Sequence, residues 1–303
     1  MVRSIEDLTN AQFRNSQFLS AEASRRDAGF EFTNQFFINN MKRFLAFFFV
    51  SVGLFLSTAN AQTYRAPRTA EGKPNLSGIW QALNEAYWDI EGHAAAPGRV
   101  LALGAADAVT PGLGVVEGGA IPYLPEAAAK KKQNFENRLT LDPEIKCYLP
   151  GVPRATYMPQ PFQIIQSAKH IMIIHQYATA VRTIYMDNQT EAPADSWMGW
   201  SNGRWEGETL VVDTTGFNDK TWFDRAGNFH SDALHVVERF TATDADHLNY
   251  EVTIEDPKVF SRPWKMSMPI YRRKEKNAQV LEFRCVEFVE ELIYGHLKKQ
   301  TSK

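Results

Sequence analysis

The sequence predicts a mainly β protein: an antiparallel barrel or closed sandwich with a loop-rich N-terminal region and a C-terminal helix. Three observations carry that expectation. From Phe162 onward, β-branched and aromatic runs recur at short spacing, separated by polar or proline-containing breaks. Several runs alternate strictly: Leu248, Tyr250, Val252 and Ile254 share one face, and Trp264, Met266, Met268 and Ile270 share another. No fixed-period repeat is present, which argues against a propeller or solenoid.

Taken in order, "PNLSGIWQ" (74–81) starts a first strand. Residues 92–122 are rich in Gly, Ala and Pro without a period, and their length suggests a lid, a crossing loop or a mobile segment. Pro125 to Arg138 predicts a helix, with proline in its first turn and good helix formers behind it. "CYLPGVPRATYMPQPF" (147–162) is too proline-punctuated for a long regular element. Strands are then expected over Phe162–Gln166, His170–Tyr177 and Val181–Asp187. Two more flank the Glu206-Gly207 turn, and others cover His235–Thr241, His247–Glu255, Trp264–Tyr271 and Val280–Val286. Glu287 to Lys298 reads as an amphipathic helix. The count is about nine or ten strands.

Not all of the 303 residues belong to that domain. Met41-Lys42-Arg43, the apolar run Phe44–Leu56 and the small residues up to Ala61 form the charged, apolar and A-x-A parts of a secretory signal peptide. The apolar run is short for a membrane span. Residues 1–40 read as an extension of the reading frame ahead of a start at Met41. The domain is then 62–303, a loop-rich region (62–161) followed by a strand-rich core (162–303), destined for the periplasm or the medium. From Gln62 on, 27 basic residues face 30 acidic ones. That balance gives no basic footprint for nucleic acid and no polybasic patch for a membrane surface. Cys147 and Cys285 lack CxxC or metal-ligand spacing. In an oxidising compartment they suggest one long-range disulfide, the alternative being two buried thiols.

Gly78-x-Trp80 in a first strand resembles the opening signature of lipocalin-like barrels, where the tryptophan closes one barrel end beneath a late arginine. Arg272 or Arg273 is placed to supply that partner. A longer pattern, "MGWSNGRWEGETLVVDTTGFNDKTW", "HSDALHVVERF" and "YEVTIEDPKVFSRPW", resembles a family of secreted bacterial proteins of unassigned activity, frequent in acidobacteria and other soil bacteria. With "CYLPGVPR" and "FRCVEF" the resemblance covers roughly residues 145–290. It implies export and a β-rich fold, and it assigns no catalytic residue.

Chemistry must come from the residues. "TWFDRAGNFHSDALHVVERF" (221–240) concentrates acids and bases where a turn enters a strand. On a regular strand His235, Val237 and Arg239 share one face, and Val236, Glu238 and Phe240 share the other. Glu238 is then either buried with a partner or on an edge, and burial would raise its pKa. Asp213 is solvated if Leu210 and Val212 point into a core, and lines a pocket if the interior is polar. Asp219 reads as a turn cap or a pocket residue. A metal would need His230, His235 and Asp224 or Glu238, without H-x-H or HExxH spacing to support it, so no metal or organic cofactor is expected. Ser231 lacks a G-x-S-x-G elbow, and no phosphate-binding glycine loop is present.

Two functions follow. In the first, an acid–base enzyme (lyase, hydratase, isomerase or hydrolase) acts on a small apolar or aromatic compound. His235 is its general base or acid, Asp224 or Glu238 orients it, His230 is a second acid, and Arg239 or Tyr185 holds an oxyanion. Trp222, Trp200, Asp213 and Asp219 would line the substrate site. In the second, the same groups orient a hydrophobic ligand in a non-catalytic carrier.

Overall fold

The computed structural model describes residues 64–95, 111–187 and 190–297, all in one compact unit that begins at Thr63. The extension at 1–40, the signal segment at 41–61 and residues 96–110 of the glycine-rich segment lie outside them. Nine strands among the described residues close into a lipocalin-like barrel in chain order. They are β1 (Gly78–Ala82), β2 (Phe162–Gln166), β3 (His170–His175), β4 (Val181–Tyr185), β5 (Trp200–Glu206), β6 (Thr209–Thr215), β7 (His235–Ala242), β8 (His247–Glu255) and β9 (Trp264–Arg272).

Closure comes from β1, which pairs with β2 through Trp80↔Phe162 and with β9 through Trp80↔Arg272. This explains why Val280–Val286, expected as a strand, is irregular: β1 occupies the sheet edges on both sides. The segment is instead tied down by its ends. Leu281 N–H donates to Gln176 Oε1 at 3.1 Å, the Phe283 and Tyr177 rings lie 5.0 Å apart, and Cys285 forms a disulfide with Cys147. A second correction concerns strand direction. β4 and β5 are parallel, sharing only Ile184↔Ser201 and Tyr185↔Asn202, so β4 ends at the opposite end of the barrel from where β5 begins. The remaining adjacent pairs are antiparallel.

The helices are shorter than expected. α1 covers Pro125–Glu136 and α2 covers Arg138–Leu141, with Asn137 breaking the run between them. α3 is the four-residue helix Arg154–Tyr157, and α4 is Val289–Tyr294. The described limbs of the glycine-rich segment pair with each other at His93↔Gly112. Val116 then bridges Met266 on the stretch of β9 that β1 does not reach.

Alternation places the core. Val236, Phe240, Leu248, Tyr250, Val252, Ile254, Met266 and Ile270 are buried along the lumen, as the period-2 pattern predicts. Each fully buried aliphatic side chain contributes roughly 1.5–3 kcal/mol. At one end of the barrel lie the tight turns after β2, β5 and β7. The other end is plugged by α3, buried at all four residues, and by the loop 216–234. Gly151, with φ of 73°, lets the plug approach that loop, since a Cβ there would sit 2.8 Å from Thr221 Cβ. Arg154 anchors the plug through a two-pronged pair with Asp142 (2.8 and 3.0 Å) and reaches Glu144 at 3.3 Å. Burial pushes the Glu144 carboxyl up, but Arg225 and then Arg154 outweigh it and hold the pKa below its usual value.

Candidate functional site

The acid–base residues of 221–240 do not face one space. His235 lies on the outer wall of the barrel, half-buried. Its Nε2 is 3.1 Å from Asp213 Oδ1, and its Nδ1 is 3.5 Å from Glu255 Oε2. Asp213 is thus an outer, solvated carboxylate, as it should be when Leu210 and Val212 fill the lumen. Arg239, two residues along the same face, pairs with Glu206 at 2.8 Å. Tyr185 is also on the outer wall, stacked on Trp200 with ring centroids 4.4 Å apart.

Asp224 and His230 belong to the plugging loop, where packing and backbone donors consume them. Asp224 is fully buried and accepts from Ile90 N–H (3.0 Å), Asn228 N–H (3.1 Å) and Asn228 Nδ2 (2.6 Å). Burial, followed by repulsion from Asp89, raises its pKa to about 7. His230 lies 2.8 Å from the Ser231 carbonyl through Nδ1 and 2.6 Å from Thr221 Oγ1 through Nε2. A carbonyl only accepts, so Nδ1 carries the proton and Nε2 accepts from the threonine. Burial lowers the pKa of His230 and keeps the ring neutral. Asp219 is exposed beside Lys220 at 2.7 Å, and the turn is capped by Asn218, whose Oδ1 accepts from Lys220 N–H at 3.1 Å. Trp222 is packed in the loop, bridged to Phe229. Among the described residues no group of three or more His, Cys, Asp or Glu side chains is arranged to hold a metal ion. No helix among them is long and apolar enough to cross a membrane.

Glu238 is the one member that points into the lumen, and there it meets residues the sequence reading missed. Arg182 of β4 donates to Glu238 Oε2 and Thr214 Oγ1 through Nη2, and to Ser201 Oγ through Nε at 2.8 Å. Tyr250 O–H donates to Glu238 Oε1 at 2.6 Å. Four strands, β4 to β7, are thereby joined from inside across the short parallel seam, and β8 joins through Tyr250. The lumen position of Arg182 had one signal: it shares a strand face with Ile184. That signal was obscured because Val181 and Tyr185 make the opposite face look equally apolar.

A concave site occurs at the turn end. A cleft of about 270 Å³ is lined by Tyr64, Ala66, Pro67, Leu76, Trp80, Ala242, Ala245 and Leu248, with Asn75, Asp244, Asp246 and Arg272 as its polar members. Trp80 forms its inner wall. The indole N–H donates to the Leu76 carbonyl at 2.9 Å, and the Arg272 guanidinium lies 4.1 Å over the ring. Arg272 is therefore the late arginine, while Arg273 donates to Gln81 Oε1 at 2.7 Å. At the rim Lys274 holds Asp246 at 2.6 Å and His247 sits 2.8 Å from Asp244. The cleft thus offers an aromatic and aliphatic wall with a polar rim that holds Asp244, Asp246 and Arg272. Sequence reading picked out Trp80 and Arg272 but not the strap 64–67 or the β7–β8 turn that complete the space.

No protein-family model and no curated protein sequence matches this chain.

Proposed function

We propose that the protein is an exported carrier that binds a small, neutral apolar or aromatic compound in the cleft between Trp80 and the β7–β8 turn. One observation carries this reading: among the described residues, aromatic and aliphatic side chains line a concave space of useful size at this cleft. A cavity of about 150 Å³ accommodates benzene, so about 270 Å³ suits a one- or two-ring molecule. The acid–base reading needs His235 to share a space with Asp224 or Glu238, and the three lie on the outer wall, in the plug loop and in the lumen.

The test is a screen of small aromatic and alicyclic compounds by thermal shift and tryptophan fluorescence, with product analysis by mass spectrometry. A ligand at a hundred times its Kd stabilises by about 2.7 kcal/mol, or roughly 5–10 °C in a chain of this size. Saturable stabilisation without product formation supports the carrier. Turnover of any hit, or no hit across the panel, counts against it.

A further inference from the structure

The polar groups in the lumen are not all accounted for by one another. Arg182 Nη1 is buried and makes no hydrogen bond within the protein. Of the protein groups around the His175 ring only the Ala155 backbone is placed to take a hydrogen bond, which occupies at most one of its two nitrogens and leaves the other without a partner. Both side chains are essentially inaccessible, at 2% and 1% exposure. They are diagonal neighbours on the lumen face, because Ile173 of β3 is the register partner of Arg182 and His175 lies two residues further on. Above them sits the underside of α3, with Ala155 against His175 and Thr156 beside the Tyr250 phenol. Buried polar atoms without a partner are rare in folded proteins, and ordered water or another small molecule usually explains them.

Charge decides what such a molecule can be. Arg182 and Glu238 balance each other, and both Glu238 oxygens are already satisfied. His175 is neutral, since burial first and the Arg182 charge second depress its pKa to about 3. An anion would leave this buried space with a net negative charge, and a cation would face Arg182 directly. A neutral histidine presents one donor and one acceptor, and Arg182 Nη1 presents donors only. We infer that the lumen beneath α3 is a second binding site, distinct from the cleft, for a small neutral molecule that both accepts and donates hydrogen bonds, namely water in the purified protein. The molecule accepts from Arg182 Nη1 and bridges to a ring nitrogen of His175, completing the guanidinium's hydrogen bonds.

Crystallography of the full chain and oxygen-17 relaxation dispersion in solution test this. The expected result is density within hydrogen-bond distance of both Arg182 Nη1 and a His175 nitrogen, with a long-lived water signal that falls in His175→Leu. Absence of that density, or an unchanged dispersion in His175→Leu, overturns the proposal. So does a rise in Tm for His175→Leu at pH 7, where the ring is neutral, because an unpartnered polar ring would then have been replaced by a better apolar filler. If His175→Leu does not fold, the wild-type density alone decides.

Discussion

Replacing Arg182 by Met isolates the role of the lumen network. The guanidinium reaches from β4 to partners on β5, β6 and β7, and Glu238 is 0% exposed. Removing the cation leaves a buried carboxylate whose remaining donor is the Tyr250 phenol. Losing one partner of a buried ion pair costs about 3–5 kcal/mol. The Ser201 and Thr214 hydroxyls, 3.2 Å apart, can satisfy each other and add little. At roughly 2–4 °C per kcal/mol for a chain of this size, the Tm falls by about 10 °C. Replacing the whole unit, as Arg182→Met with Glu238→Leu and Tyr250→Phe, removes the stranded charge. Apolar replacement of a buried ionic network is commonly neutral or stabilising by about 1–4 kcal/mol, so the triple variant should recover most of the loss. Equilibrium urea unfolding at pH 7, followed by tryptophan fluorescence with the m-value checked, measures both. A single variant that loses less than about 1 kcal/mol, or a triple variant no more stable than the single, refutes the reasoning.

Other consequences are measurable with the same assay. Because the Asp224 pKa is raised to about 7, the folded state binds more protons than the unfolded state between pH 4 and 7. This group's stabilisation is therefore present at low pH and lost as pH rises through 7, by up to about 4 kcal/mol. Asp89→Asn removes the repulsive partner and should flatten the loss between pH 5 and 8; an unchanged slope would dismiss the coupling. His175 acts in the opposite sense. Its depressed pKa makes stability fall as pH drops below 6.5, and His175→Leu should shrink that acid-side loss in a urea series from pH 7 to 4. The Cys147–Cys285 disulfide closes 138 residues. Chain entropy puts its contribution at about 5 kcal/mol, so Cys147→Ser with Cys285→Ser should lower the Tm by more than about 10 °C. Gly78 has φ of 149° and lies under Arg272, so Gly78→Ala should displace the guanidinium from Trp80 and alter its emission, whereas Gly72→Ala, in open space, should leave it unchanged.

Much of the barrel was legible because period-2 patterning reports which face is buried. β8 and β9 were read to within a residue from alternation alone, and of the two readings of Glu238 between Val236 and Phe240, buried with a partner or on an edge, the first holds. What local pattern cannot report is the occupancy of an edge. "VLEFRCV" has strand propensity, but β1 already pairs with both β2 and β9. The parallel direction of the β4–β5 pair is likewise a property that no strand's own residues encode. The site was least legible, since its partners are distant in sequence. Arg182 and Glu238 are 56 residues apart, and Tyr64 meets the β7–β8 turn across most of the domain. Clustering of acids and bases in 221–240 pointed to a shared site, yet strand alternation sent His235 outward and Glu238 inward, and the plug buried Asp224 and His230.

The carrier reading is tested most directly by titrating the tightest compound from the screen into Ala245→Trp and His235→Ala. Ala245 lines the mouth of the cleft and is exposed, so a tryptophan there fills the space without entering the core. His235 is on the outer wall, away from the cleft lining. The account predicts that binding is lost in Ala245→Trp and retains its Kd in His235→Ala. Undiminished binding in Ala245→Trp, or loss of binding in His235→Ala, would contradict it.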